Sequence, residues 1–337
     1  MKPFHSLLIA SLLAFVPLGM AQQIATVKAG QYTLSGPYAH DNLTIFLIHG
    51  ADPLPGRDYV ILDEAIAAGT AIVHETSNVN ELAVENLSQT HDLYIPAGTI
   101  VKGGKQDRTI AQDLIVRPGS GRVSIDAFCV EQGRWRARGQ ERATAFNAAK
   151  QALAGKDLKL AARYHGDQGH VWQEVAVAQD KLAVSTEAEV RAAESQTSLQ
   201  LTLENEAVVK AIDGYIQKLS PIVEQKEDVI GYAFAINGEV NSAEVFASNA
   251  LFKKLWPTLL NSSAVEAIAE AAKPADGQVT ADDIRACIDA AESAEPGKSQ
   301  AANDRTESLT RDGEKAVLFE TRDSSADGYV RRSYYAK

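Results

Sequence analysis

The chain has 337 residues, with 33 lysines and arginines against 44 aspartates and glutamates, for a formal net charge of −11. An acidic chain of this size repels phosphate backbones and anionic lipid, which excludes nucleic acid and membrane surfaces as partners. Its two cysteines, Cys129 and Cys287, are too few for a disulfide scaffold; they either pair across a very long loop or stay as packed thiols.

The chain opens with Lys2, an apolar run from Leu7 to Leu18 containing Pro17, and the small-residue stretch Gly19-Met20-Ala21. That order is the order of a signal peptide, and the run is shorter than the roughly 20 residues a bilayer span requires. Cleavage is expected between Ala21 and Gln22. No cysteine follows the cut to take a lipid, and no later segment is apolar for long enough to span, so the product is expected to be soluble and secreted or periplasmic, free of the membrane after cleavage. About 316 residues then remain, enough for one large or two modest domains.

Residues 43–49 (LTIFLIH) read as a buried strand stopped by Gly50, Pro53 and Pro55. Asp58 is expected to cap a helix carrying Ile61, Leu62, Ala65 and Ile66 and ending at Gly69. Strand-like runs follow at 70–76, 79–86, 93–95, 99–102, 108–116 and 122–130, so the first half is β-rich. From Gly139 the spacing of Phe146, Ala149 and Leu153 predicts a helix, and Val171, Val175, Ala178 and Leu182 repeat that period. Asn205 is placed to cap a helix with Val208, Ile212, Tyr215 and Leu219 on one face. Two strands, 229–236 and 239–247, meet at Asn237-Gly238, where both residues of a two-residue hairpin turn tolerate positive φ. Phe252 to Leu260 form a packed helix that Pro257 should kink or restart, and Thr280 with Asp283 caps another.

The fold class expected is α+β: a β-rich N-terminal half of short strands packed against helices of the second half, with the hairpin at 229–247 in the same core. Residues 22–294 form a single domain, with a subdomain split near 160 as the alternative. Polar residues 295–308 read as a linker or mobile loop, and 309–337 as a C-terminal strand pair.

Five segments depart from generic sequence: NLTIFLIHG (42–50), VNELAVENLS (79–88), GTIVKGGKQDRTI (98–110), FCVEQGRW (128–135) and the GYAFAINGEV hairpin before FKKLW (231–256). In type and order they resemble the ARG and rhodanese-phosphatase-superfamily-associated protein domain family, over about residues 40–260. That family is a domain of unknown function; its name records association with ADP-ribosylglycohydrolase and phosphatase-like proteins, so the resemblance implies no catalytic residue.

Candidate chemistry concentrates in two places. In Lys102, Gly103, Gly104, Lys105, Gln106, Asp107 and Arg108, glycine backbone N–H groups and three cations can hold an anion. The spacing is not that of a P-loop, and the other reading is a glycine turn between strands. Strand parity turns Val123, Ile125, Ala127 and Cys129 inward, which leaves Cys129 a packed thiol. Glu131 ends that strand, with Arg134 and Trp135 after it, either converging on a ligand or forming an ion pair under the indole. His74, Glu75, Glu81, Glu85, His91, His165 and His170 match no metal-ligand spacing, so no metal and no cofactor is expected. No G-x-S-x-G elbow is present.

The leading expectation is an exported ligand-binding or interaction module with a small anionic ligand or a protein partner, using Lys102, Gly103, Gly104, Lys105, Gln106, Arg108, Glu131, Arg134 and Trp135. The alternative is a hydrolase acting on a phosphate-bearing or glycosidic, ADP-ribose-like substrate, with Glu131 as acid or base and the basic loop stabilising developing charge.

Overall fold

A computed structural model describes residues 27–29, 32–273, 277–297 and 299–337, with backbone alone at 27–29, 148 and 150–152. The expected leader, 1–21, and its Ala21/Gln22 junction lie outside the described residues.

The α+β class holds. A nine-stranded antiparallel sheet runs in the order Val27–Ala29, Tyr32–His40, Leu43–His49, Val229–Ile236, Glu239–Phe246, Tyr329–Ala336, Ala316–Asp323, Thr306–Asp312, Gln300–Ala301. Its interior strand Val229–Ile236 is buried at every position, because helices cover both faces of the sheet. Tyr232, Phe234 and Ile236 pack with the helices Glu206–Leu219 and Asn249–Ala269 on one side. Ile230, Ala233 and Ala235 meet Ile284, Ile288 and Ala291 of helix Ala281–Glu292 on the other. A strand buried on both faces shows no apolar-polar alternation, which is why it reads as a continuous apolar run.

Between strands Leu43–His49 and Val229–Ile236 the chain builds a closed six-stranded barrel, in the order Arg122–Cys129, Glu81–Asn86, Ala71–Glu75, Ala145–Leu153, Thr99–Gly103, Arg108–Ile110. Val73, Leu82, Val84, Val101, Ile110 and Ile125 belong to one apolar cluster within it. A small sheet of Leu114–Val116, Asp92–Ile95 and Tyr59–Ile61 lies alongside.

Several expectations need correction. Phe146, Ala149 and Leu153 lie on a strand, not a helix: Ala145–Leu153 pairs with Thr99–Gly103 through a register shift between Ala148 and Leu153. A bulge offsets the two-residue alternation, so the surviving apolar positions mimic helical spacing. Asp58 caps nothing; Tyr59–Ile61 is a strand, the helix is Leu62–Ala67, and Asp58 instead accepts from Lys254 Nζ at 2.9 Å. Helix Asn249–Ala269 continues through Pro257. Residues 295–308 include strand Gln300–Ala301 and the start of Thr306–Asp312. Their polarity is structural: Arg305 makes paired hydrogen bonds to Asp92 and Asp323, and Ile115 N donates to Thr306 Oγ1 at 2.8 Å. The expected C-terminal pair is present as Ala316–Asp323 and Tyr329–Ala336, and it lies inside the main sheet. Among the described residues, no helix is long and apolar enough to cross a membrane.

Candidate functional site

The two segments singled out in the sequence meet at one end of the barrel. Cys129 and Arg108 are register partners on adjacent strands, so their side chains share the inner face. Arg108 is fully buried; its Nη1 donates to Gln106 O, and its Nε and Nη2 have no hydrogen-bond partner. Trp135 lies over it, with the guanidinium carbon 5.8 Å from the ring centroid and Lys105 Nζ at 5.1 Å. The indole is 43% exposed and its backbone is left-handed (φ 43°), an uncommon state for a bulky residue.

The remaining charges of this cluster are spent on one another. Glu131 is sealed from solvent, accepts from Arg134 Nε at 2.8 Å through both oxygens, and accepts from Asp107 N at 3.1 Å. Asp107 takes Arg138, Ser198 Oγ and the backbone N–H of Gly103. Burial pushes the Asp107 carboxyl up, with Arg138 pulling the other way. Gln106 Nε2 donates to Glu131 O, and Lys102 Nζ pairs with Glu204 at 2.6 Å. Gly104 (φ 54°) lies against Phe146, whose ring carbon would stand 2.2 Å from an added Cβ. These contacts close the barrel end and tie it, through Ser198, to the start of helix Leu199–Leu203.

The histidines are engaged singly: His74 Nε2 lies 3.0 Å from Glu85, and His170 Nε2 3.3 Å from Glu174. Among the described residues, no three His, Cys, Asp or Glu side chains gather as a metal site. Cys129 and Cys287 are both free thiols.

A well-formed concavity lies elsewhere, on the helical side of the barrel. A groove of about 420 Å³ opens between the end of strand Ala145–Leu153, helices Lys156–Leu160, Gln168–Thr186 and Leu199–Leu203, the hairpin tip, and the second half of Asn249–Ala269. Leu158, Ala178, Leu203, Ile236 and Ala269 supply apolar walls. Its rim is charged: Lys181 Nζ lies 2.5 Å from Glu270, which also holds Lys273.

Glu266 stands inside this groove, half-buried. Its Oε2 accepts from Lys156 N at 3.1 Å and from Asn241 Nδ2 at 3.2 Å, and the Asn241 Oδ1 atom is buried without a partner. Gly155 makes room for it, since a Cβ there would stand 3.0 Å from Glu266 Cγ. Burial raises the Glu266 carboxyl, against the pull of Lys159. Lys159, buried, is itself lowered by burial, with Glu244 at 3.6 Å opposing. A carboxyl displaced toward its neutral form in a cleft is a recurrent mark of a functional site, and Glu266 is that carboxyl here. Sequence reading passed over Glu266. The available signal was that it is the one charged residue between Leu255 and Ala269.

The model of the family described as ARG and Rhodanese-Phosphatase-superfamily-associated Protein domain matches residues 31–332. No curated protein and no solved structure matches the chain.

Proposed function

Proceeding from the chain's membership of the ARG and rhodanese-phosphatase-superfamily-associated protein domain family, we propose that it is an exported module that binds a small molecule in the groove at Glu266. The observation that carries this reading is the groove itself. Its volume of about 420 Å³ falls in the range of small-molecule sites, and it joins apolar walls to a few convergent polar groups. Of the barrel-mouth residues first considered as ligand contacts, Lys102, Gln106, Glu131 and Arg134 are committed to internal partners, which favours the groove; Arg108 and Trp135 make the barrel mouth the competing site. Glu131 is sealed and bound at both oxygens by Arg134, so the hydrolase alternative draws no support from it.

Export is part of the proposal, supported by Lys2, the apolar run Leu7–Leu18 and the small residues before Gln22. Mass spectrometry of the secreted or periplasmic product should find Gln22 at its N-terminus.

The binding reading is tested by a thermal-shift screen of the chain from Gln22 onward against amines, carboxylates, phosphorylated sugars, nucleotides and ADP-ribose. It is repeated with Ala178→Trp, which fills the groove. A ligand at 100 times its dissociation constant adds about 2.7 kcal/mol. A shift lost in Ala178→Trp supports the groove; a shift that Ala178→Trp leaves intact and Arg108→Met abolishes moves the site to the barrel mouth.

A further inference from the structure

We propose that the groove selects an organic cation, a molecule carrying an amino group on an apolar body, with the amine seated on Glu266 and Asn241 Oδ1. The inference rests on the groove being the ligand site and adds the class of ligand.

The sign of the charge comes first. Among the described residues the groove is lined by Lys156, Lys181 and Lys273 against Asp157, Glu174, Glu239, Glu266 and Glu270, an excess of two carboxylates. Lys181 and Lys273 both hold Glu270, whereas Lys156 Nζ donates to the neutral carbonyl Ala336 O at 3.2 Å and is turned to it rather than into contact with Glu266. No cation among the described residues lies within ion-pair distance of Glu266, whose recorded partners are the neutral donors Lys156 N and Asn241 Nδ2. Lys159 and Lys156 pull on that carboxylate from beyond contact and no ion pair neutralises it, so a ligand cation in contact would offset the cost of its partial burial.

Hydrogen bonding points the same way. The Asn241 amide is oriented by its Nδ2 bond to Glu266, and that leaves Oδ1 unpartnered beside the carboxylate. Two adjacent acceptors call for a group with several donors, as an ammonium has, and repel a second carboxylate or phosphate. The walls formed by Leu158, Ala178, Leu203 and Ile236 then bury an alkyl or aryl body, each buried methylene contributing about 0.8 kcal/mol.

The test compares hexylamine, 1-hexanol and hexanoate, equal in chain length and different in charge, by titration calorimetry and backbone-amide chemical shifts at pH 7. Hexylamine is expected to bind at least about tenfold more tightly than hexanol, with hexanoate weakest and shifts centred on Leu158, Ala178 and Leu203. Glu266→Gln, which keeps the shape and removes the charge, should abolish the advantage of the amine and leave hexanol unchanged. If hexanol and hexanoate enter the groove as well as the amine, the cation inference is overturned and the binding reading stands. If none of the three perturbs the groove, both fall. Should Glu266→Gln fail to fold, the ranking of the three compounds on the unaltered chain decides.

Discussion

Arg331 and Asp113 stand 218 positions apart in the chain and meet at 2.8 Å, with neither side chain in contact with solvent. Arg331 also makes two bonds to Glu244, and Asp113 accepts from Tyr94 Oη, Ala97 N and Arg163. This network joins the last strand of the nine-stranded sheet to the segment between barrel and small sheet. Burial alone would raise the Asp113 carboxyl, but Arg331 and then Arg163 outweigh it and hold the group well below the usual carboxylate range. Its acidity is therefore greater folded than unfolded, so its contribution is full above the unfolded value of about 3.9 and is lost as pH falls below it. Asp113→Asn should cost about 3 kcal/mol at pH 7, because Arg331 and Arg163 each lose an ion pair in the interior. Urea melts of both proteins from pH 7 to pH 3 check this; a midpoint for Asp113→Asn equal to the parent's at pH 7 would contradict it.

The two barrel-mouth arginines should behave differently when replaced. Arg134→Met leaves Glu131 and Asp107 buried beside one fewer cation and is expected to cost about 3–5 kcal/mol. Arg108→Met removes one hydrogen bond and a long, 3.9 Å ion pair to buried Glu75, whose carboxylate keeps the backbone N–H groups of Lys105 and Ser77, and is expected to cost about 1–2 kcal/mol, less than Arg134→Met. Denaturant midpoints at constant slope measure both, and the reverse order would show that Arg108 holds the barrel mouth together.

Glycine at 104 is required for packing, whatever else the loop does. Gly104→Ala combines a left-handed backbone with a contact of 2.2 Å to Phe146 and should cost about 2–3 kcal/mol. Gly119→Ala, also left-handed (φ 58°) but facing open space, isolates the backbone part at about 1 kcal/mol. Equal losses in the two would rule out the packing explanation.

Amine binding at Glu266 should strengthen with pH. The free carboxyl is raised by burial, and a cation favours its charged form, so binding releases the proton Glu266 holds at lower pH. Affinity then climbs as pH passes through that raised value and falls only where the amine loses its own proton, near about 10. The groups facing Glu266 are Lys156, Asp157 and Lys159 from one helix, Glu174 and Lys181 from a second, Glu239 and Asn241 from the hairpin, and Glu270 and Lys273 beyond its own turn. Calorimetry in two buffers of different ionisation enthalpy reports the released proton; affinity that fails to rise with pH anywhere below the amine's own titration would count against Glu266.

Both thiols should be slow to react. Burial pushes Cys287 up to about 11, with Lys156 pulling against it, and raises Cys129 against the pull of Arg108. Iodoacetamide at neutral pH should label neither in the folded chain and both in urea, and a reductant should leave the melting temperature unchanged. Rapid labelling of either native thiol would show that its surroundings open.

Local pattern made much of the fold legible. LTIFLIH lies on strand Leu43–His49, the Asn237-Gly238 turn joins its two strands, and the caps at Asn205 and Thr280 stand where their side chains can reach orphan N–H groups. Each depends on neighbours a few residues away, and each was readable for that reason. The strand at Ala145–Leu153 was not, because its bulge is imposed by a partner more than forty residues earlier.

The sequence by itself determined the α+β class, the family signature and the gathering of charge at 102–108 and 131–135. Only the tertiary structure decided what those charges do, since an arginine is a ligand contact or a structural ion according to which carboxylates the fold brings beside it. Glu131 and Arg134 satisfy each other in the interior, and Glu266, in an apolar helix, opens onto a cleft whose walls come from five separate segments. Burial and the identity of the nearest opposite charge are properties of the folded surface, and no spacing along the chain encodes them.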